Sequence, residues 1–217
     1  MRSITCLVIC VTLISSLPLM ADWPCWRGPL RTGAAADSPP LIEALPDEGI
    51  RPAWVSESIK GAREGGWASP VIADGRVFLF AHEREKLSEL GPVKYPYLSE
   101  DKRGGMSDAD YAEYERNRRI EGQERAKAYA FREHVFAFDA ATGERLWQNR
   151  SESVYSRWPQ SGSPTVMGDR LYLLGAGLNL RCLAADTGDE IWARRLPGEF
   201  TDEFFQSSVL VVDGVAV

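Results

Sequence analysis

Histidine and cysteine are scarce among the 217 residues, while carboxylates are plentiful, with the Asp-Gly and Thr-Gly-Glu/Asp sets reading as turns. There are two histidines, His82 and His134, and four cysteines, of which Cys6 and Cys10 fall inside an N-terminal apolar run. No Cys-x-x-Cys or Cys-x-x-Cys-His spacing occurs, so the common zinc, dithiol-redox and haem-attachment motifs are missing. "AHERE" at 81–85 lacks the second histidine of a zinc-binding helix, and no Gly-x-Ser-x-Gly nucleophile elbow is present. "GAGLNL" from Gly175 begins like a dinucleotide loop but has no third glycine. It lies between predicted strands with no helix behind it to receive a phosphate, so it reads as a turn. His82 closes one predicted strand and His134 opens another, and both read as structural or exposed. Acidic residues outnumber basic ones, 31 to 25. A formal net charge of -6 speaks against nucleic acid or an anionic membrane as the main partner, since both attract basic surfaces.

The one long apolar run is at the start. Arg2 gives a positive n-region, Ile4 to Leu17 is almost unbroken apolar sequence, and Ala21 suits a cleavage site before Asp22. The run is shorter than the ~20 residues a membrane span needs, so residues 1–21 are expected to be a secretory signal peptide and the chain to be exported, periplasmic or secreted. Leu19, third before the cut, departs from the usual small residue and leaves an uncleaved anchor open. No membrane span is expected after removal of the signal. Two cysteines then remain, Cys25 and Cys182. An oxidising compartment permits a bridge, but nothing in the spacing supports one, and a buried free thiol is the expectation for Cys182.

What is present in quantity is a repeat. "SPVIADGRVFLF" from Ser69 aligns with "SPTVMGDRLYLL" from Ser163, each a strand, a tight turn and a second strand. A third copy begins at Ser207, with Asp213 placed on Asp169 at an offset of 44 residues. The second half of each unit is "AFDAATGERLW" at 137–147 and "CLAADTGDEIW" at 182–192. Here Val135–Phe138 and Leu180–Leu183 read as strands, Asp139, Thr142, Gly143, Thr187 and Gly188 as turn residues, and a last strand ends on Trp147 or Trp192. Four short strands in about 44 residues is the size of one propeller blade. Trp54 precedes Ser69 by the spacing at which Trp192 precedes Ser207, so it marks the end of a blade whose other strands lie elsewhere.

This pattern, Ala-x-Asp-x-x-Thr-Gly-x-x-x-Trp, resembles the pyrroloquinoline-quinone-type (PQQ-like) β-propeller repeat. Ala137, Asp139, Thr142, Gly143 and Trp147 fit it fully. The second unit keeps Thr187, Gly188 and Trp192, with Cys182 for the alanine and Ala184 for the aspartate. "DWPCWRGPLRTG" near the start is similar to an opening segment of bacterial members, through Trp23, Trp26, Arg27 and Gly28. WD and kelch signatures are absent. The resemblance implies an all-β propeller of four-stranded blades, about two to three of them present, in which Trp54, Trp147 and Trp192 dock between neighbouring blades. The expected organisation is a leader at 22–52 and a partial propeller at 53–217. Closure takes roughly four to eight blades, so the sequence is expected to be a piece of a longer product.

Inside the first unit, Pro70 to Trp147 spans 77 positions where Pro164 to Trp192 spans 28. Residues 83–133 hold 23 charged side chains out of 51, against 33 of 166 elsewhere, and mark an insertion. Its second part reads as a helix capped by Ser107, interrupted at Gly122 and running on through Tyr129. It is either a solvated rim helix or a docking element with Tyr111, Tyr114 and Tyr129 as contacts. Two functions remain open. One is a non-catalytic envelope propeller binding a protein or other ligand, as in BamB-like assembly factors. The other is part of a quinoprotein alcohol dehydrogenase, which would carry PQQ and Ca²⁺ with an aspartate base. The first is preferred, with no cofactor and no catalytic residue assigned.

Overall fold

The structure is a computed structural model that describes residues 22–35, 40, 43–61, 68–158, 160–199 and 207–217. The expected signal peptide lies outside the described residues. Two antiparallel four-stranded sheets and one hairpin follow each other along the chain. The first sheet is β1 (Val71–Ala73), β2 (Arg76–Lys86), β3 (Tyr129–Asp139) and β4 (Arg145–Glu152), in that spatial order. The second is β5 (Thr165–Met167), β6 (Arg170–Gly175), β7 (Asn179–Ala184) and β8 (Glu190–Arg195), and the hairpin is β9 (Val211–Val212) with β10 (Val215–Ala216). These are two propeller blades and the inner hairpin of a third.

Strand alternation supplies the two faces. Phe78 and Phe80 of β2 and Val135 and Ala137 of β3 meet Val166, Leu171, Leu173 and Leu183 of the second sheet in one buried core, with Trp147 packed at its edge. The opposite face of the first sheet buries Ala81, Phe136 and Phe138 under Ile59. Tyr172, Leu180 and Cys182 continue the pattern against Val209 and Val211 of the third unit. Cores between sheets rather than within one are what a blade requires, since each sheet is apolar on both sides.

Four expectations change. The Asp74-Gly75 and Asp213-Gly214 turns both have positive φ at each position, 48° and 69° against 49° and 77°. In the second blade only Gly168 does, at 58°, the pattern of a turn with glycine first. Asp213 therefore matches Gly168, not Asp169, and the offset is one residue longer than the residue types suggest. The β2–β3 ladder runs in register out to Lys86↔Tyr129, so the insertion proper begins after Lys86 and Tyr129 is a strand residue. An ion pair between Arg132 and Glu85 helps carry this charged extension. Trp147 and Trp192 are third in their strands, which continue to Glu152 and Arg195. Finally, the helix α1 (Asp108–Ala126) passes unbroken through Gly122. A Cβ there would come within 3.2 Å of the Tyr155 hydroxyl. The glycine marks a close approach to the blade rather than a break. Ser107 caps the helix, accepting from the Asp110 N–H at 3.2 Å.

Both blades repeat one lower corner. Ala137 pairs Trp147 and Cys182 pairs Trp192, and a bulge follows each pair. It leaves Leu146 and Ile191 without a ladder partner, each 46% exposed. Gly143 and Gly188 take φ of 75° and 78°. A Cβ at Gly143 would lie 2.5 Å from the Trp54 ring, and one at Gly188 2.5 Å from Trp147. Gly75 shares the positive φ but has nothing within 4 Å. Urea unfolding of the full chain should therefore separate two costs. Gly75→Ala should lose only the left-handed penalty, about 1–2 kcal/mol. Gly188→Ala adds overpacking and should lose roughly 2–5 kcal/mol in total. Equal losses would remove the ring contact from the account.

Candidate functional site

The residues singled out by the repeat meet at the blade junctions. Trp54 Nε1 donates to the Ala140 carbonyl at 3.0 Å, and Trp147 Nε1 donates to the Ala185 carbonyl at 3.1 Å. Each indole thus lies on the Thr-Gly turn of the following blade. Trp192 packs beside Tyr172, ring centroids 6.1 Å apart, at the border with the third unit. In the first blade Asp139 Oδ1 accepts from the Ala141 and Thr142 N–H groups and the Thr142 hydroxyl. The hydrogen bonds from Thr142 are the main reason that its carboxyl sits below the usual range. Ala184 cannot do this in the second blade. There the Thr187 hydroxyl donates to Asp189 at 2.8 Å instead, and the turn keeps its shape through the Gly188 N–H to the Ala184 carbonyl.

A polar seam runs beside each apolar core. Arg181, 2% exposed, reaches from β7 to Asn149 and Ser151 of β4 at 2.7 and 2.9 Å, and to Glu190 at 2.9 Å. Glu133 is buried to 2% and accepts from the Ala176 N–H at 2.7 Å and the Ser153 hydroxyl at 3.1 Å. The "GAGLNL" segment is a short 3-10 turn that supplies this N–H. Burial raises the Glu133 carboxyl. Neither histidine lies at a strand end. His134 bonds Glu83 at 2.8 Å and Gln148 at 2.9 Å. His82 is 1% exposed and stacked 5.9 Å from Phe131, and its Nε2 has no hydrogen-bond partner among the described residues. Sequence alternation placed both in strands, but the ladder's extension into charged residues hid how deep they lie.

Towards the axis, the leader is part of the fold. Trp23 pairs with Ile72, the Pro24 carbonyl accepts from the Val166 N–H at 2.7 Å, and Arg31 donates to the Val209 carbonyl at 2.6 Å. It therefore touches the inner strand of all three units. Serines link the segments that lead into those strands. The Ser69 N–H donates to Ser163 Oγ and the Ser163 N–H to Ser208 Oγ, both at 3.0 Å. A 530 Å³ cleft opens here, lined by Trp26, Arg31 and the repeat serines. Ca²⁺ takes mainly carboxylate and carbonyl oxygens. Hydroxyls, one guanidinium and one indole do not fit that metal, and no acidic, histidine or cysteine cluster of three gathers among the described residues. Cys25 and Cys182 are both buried and free, and burial raises the Cys182 thiol.

Two blades with the same bulge, the same docked indole and the same backbone bond across the turn can be placed among known proteins. Residues 132–217 match the family model described as "Outer membrane protein assembly factor BamB". The repeat units within these residues are similar to the PQQ-like repeats of that family. Among solved structures, BamB from Moraxella catarrhalis is similar at 22% identity over 37% of this chain, with a TM-score of 0.32. The match spans 26% of that chain, about a quarter of its length. No curated protein matches.

Tyr111 and Tyr114 are engaged within the insertion, and Tyr129 is engaged on the β2–β3 arm at its base. Tyr114 donates to the Pro96 carbonyl at 2.7 Å and meets Tyr95 edge-on, Tyr111 lies 3.9 Å under Arg103, and Tyr129 lies 4.9 Å under Arg84. They fasten the insertion's loop and helix and the strand at its base. The rings that line open space there are Tyr95, Tyr97 and Tyr155, which the spacing of the helix did not reveal.

The buried histidine sets a pH dependence. Desolvation lowers His82 from 6.5 to about 4, against a hydrogen bond to the Val154 backbone that raises it. The folded value lies below the unfolded one, so its stabilisation is full above pH 6.5 and is lost as pH falls to about 4. At about 1.4 kcal/mol per unit this amounts to ~3 kcal/mol. Glu133 works with the opposite sign, since its raised carboxyl favours folding as pH falls towards the ordinary carboxylate range. In urea titrations from pH 7 to 4, His82→Leu should flatten the acid loss of stability and Glu133→Gln should steepen it. Parallel curves for all three proteins would sink the assignment.

Proposed function

We propose that this chain is part of a non-catalytic β-propeller of the cell envelope that holds a protein partner. The observation that carries the reading is that each side chain marking the repeat is spent on architecture. The described indoles, turn aspartate, threonines and glycines lie at blade junctions or in turns. The buried groups Glu133 and His82 serve the seam and the core. The assembly role in the description of the matched family supports a protein partner. The apolar N-terminal run supports export, and no helix among the described residues is long and apolar enough to cross a membrane.

Two measurements test this. Tryptophan fluorescence of the full chain, titrated with PQQ and Ca²⁺, should show no saturable, Ca²⁺-dependent quenching at micromolar quinone. Such quenching would move the protein to the dehydrogenase reading. Mass spectrometry of the protein from fractionated cells should find a mature N-terminus at Asp22 outside the cytoplasm. Recovery of an intact Met1 form in the cytoplasm would remove the export step.

A further inference from the structure

The insertion builds a cavity of its own, away from the axis and the blade junctions. It measures about 380 Å³ and lies between the loop at 93–97, the helix α1 and the segment that leaves β4. Its aromatic and apolar lining is Tyr95, Tyr97 and Tyr155 beside Val93 and Pro96. Arg118, Arg125 and Arg157 line it as well, and their side chains are only 25%, 26% and 20% exposed. By contrast Arg116, on the same helix, faces solvent.

The walls are fixed in advance. Glu121 accepts from the Lys94 and Tyr95 N–H groups, both at 2.8 Å. Arg125 donates to the Gly91 carbonyl at 2.8 Å, and Tyr114 holds the Pro96 carbonyl. A loop tied at three points needs little ordering when a ligand arrives. The protein contacts of Arg118 and Arg125 use Nη1 of each guanidinium. Nη2 and Nε of both have no partner among the described residues, and a guanidinium fork suits a carboxylate. Arg118 also lies 5.2 Å over the Tyr97 ring, so cation and aromatic wall form one surface.

We infer that this cavity is a docking site for an acidic–aromatic peptide segment of the partner, with a carboxylate on Arg118 and Arg125 and an apolar side chain against the tyrosines. The inference rests on the protein-binding reading above and names the chemistry of the partner. A peptide carboxylate fits better than a phosphate. Glu121 is held below the usual carboxylate range by the Lys94 N–H and stays charged, and Glu115 bridges Arg118 and Arg157. Glu121 lines the cavity too, and its repulsion grows with the ligand's charge, so a single carboxylate on an apolar body is favoured over a dianion.

Fluorescence anisotropy on the full chain tests it, using a labelled, C-terminally amidated Gly-Glu-Phe-Gly peptide and its Gln-for-Glu counterpart. The acidic peptide should bind saturably and at least tenfold tighter than the neutral one, and the difference should shrink as salt rises. Arg118→Gln and Arg125→Gln should each weaken it tenfold or more, while Arg116→Gln should not change it. The inference is overturned by equal binding of the two peptides, by indifference to both arginine variants, or by displacement with inorganic phosphate at concentrations comparable to the peptide. The comparison of peptides uses the unaltered chain, so a variant that fails to fold leaves it decisive. Quinone quenching would defeat the non-catalytic reading alone, and loss of peptide discrimination would defeat this inference alone.

Discussion

The indole of one blade lies flat on the turn glycine of the next, and much of the fold follows from the bare Cα it needs there. The contact is directional, because the tryptophan comes from the fourth strand of one unit and the glycine from the third-to-fourth turn of its successor. A bulge lies beside Trp147 and beside Trp192, one in each four-stranded sheet. The same carbonyl geometry then receives the indole N–H twice, at Ala140 and at Ala185. Sheets joined this way must follow one another around an axis, which is why the apolar residues of both faces are buried between blades.

Hydrophobic contact alone would let neighbouring sheets slide. The polar seam fixes their relative height. Arg181 spends three nitrogens on defined acceptors of two blades, and the serine N–H to hydroxyl links set the inner strands level with one another. A buried guanidinium is costly unless its donors are matched, and that cost makes any other register unfavourable.

Much of this was legible in the chain. Two copies of the same turn with a tryptophan at the same distance announced the blade, and the aligned Ser-Pro strands announced its inner hairpin. Three features were not legible, each for a physical reason. The long β2–β3 arm is paired by backbone bonds between charged residues, so it lacks the alternation that marks a strand. Gly122 looked like a helix break because its role is set by Tyr155, 33 positions away. The aromatic cavity draws on a loop, a helix and a connector, and no spacing along one element could gather Tyr95, Arg118 and Tyr155.

The leader carries a kinetic consequence. Trp23, Pro24 and Arg31 are bonded to Ile72, Val166 and Val209, partners that enter the chain successively later. Loop closure over such separations slows folding. The early segment must therefore wait, with its tryptophans in water, while the inner strands of three units arrive in turn. Each blade that forms captures one more stretch of it, so the segment closes like a drawstring through eyelets, tightening only as the last inner strand takes its place.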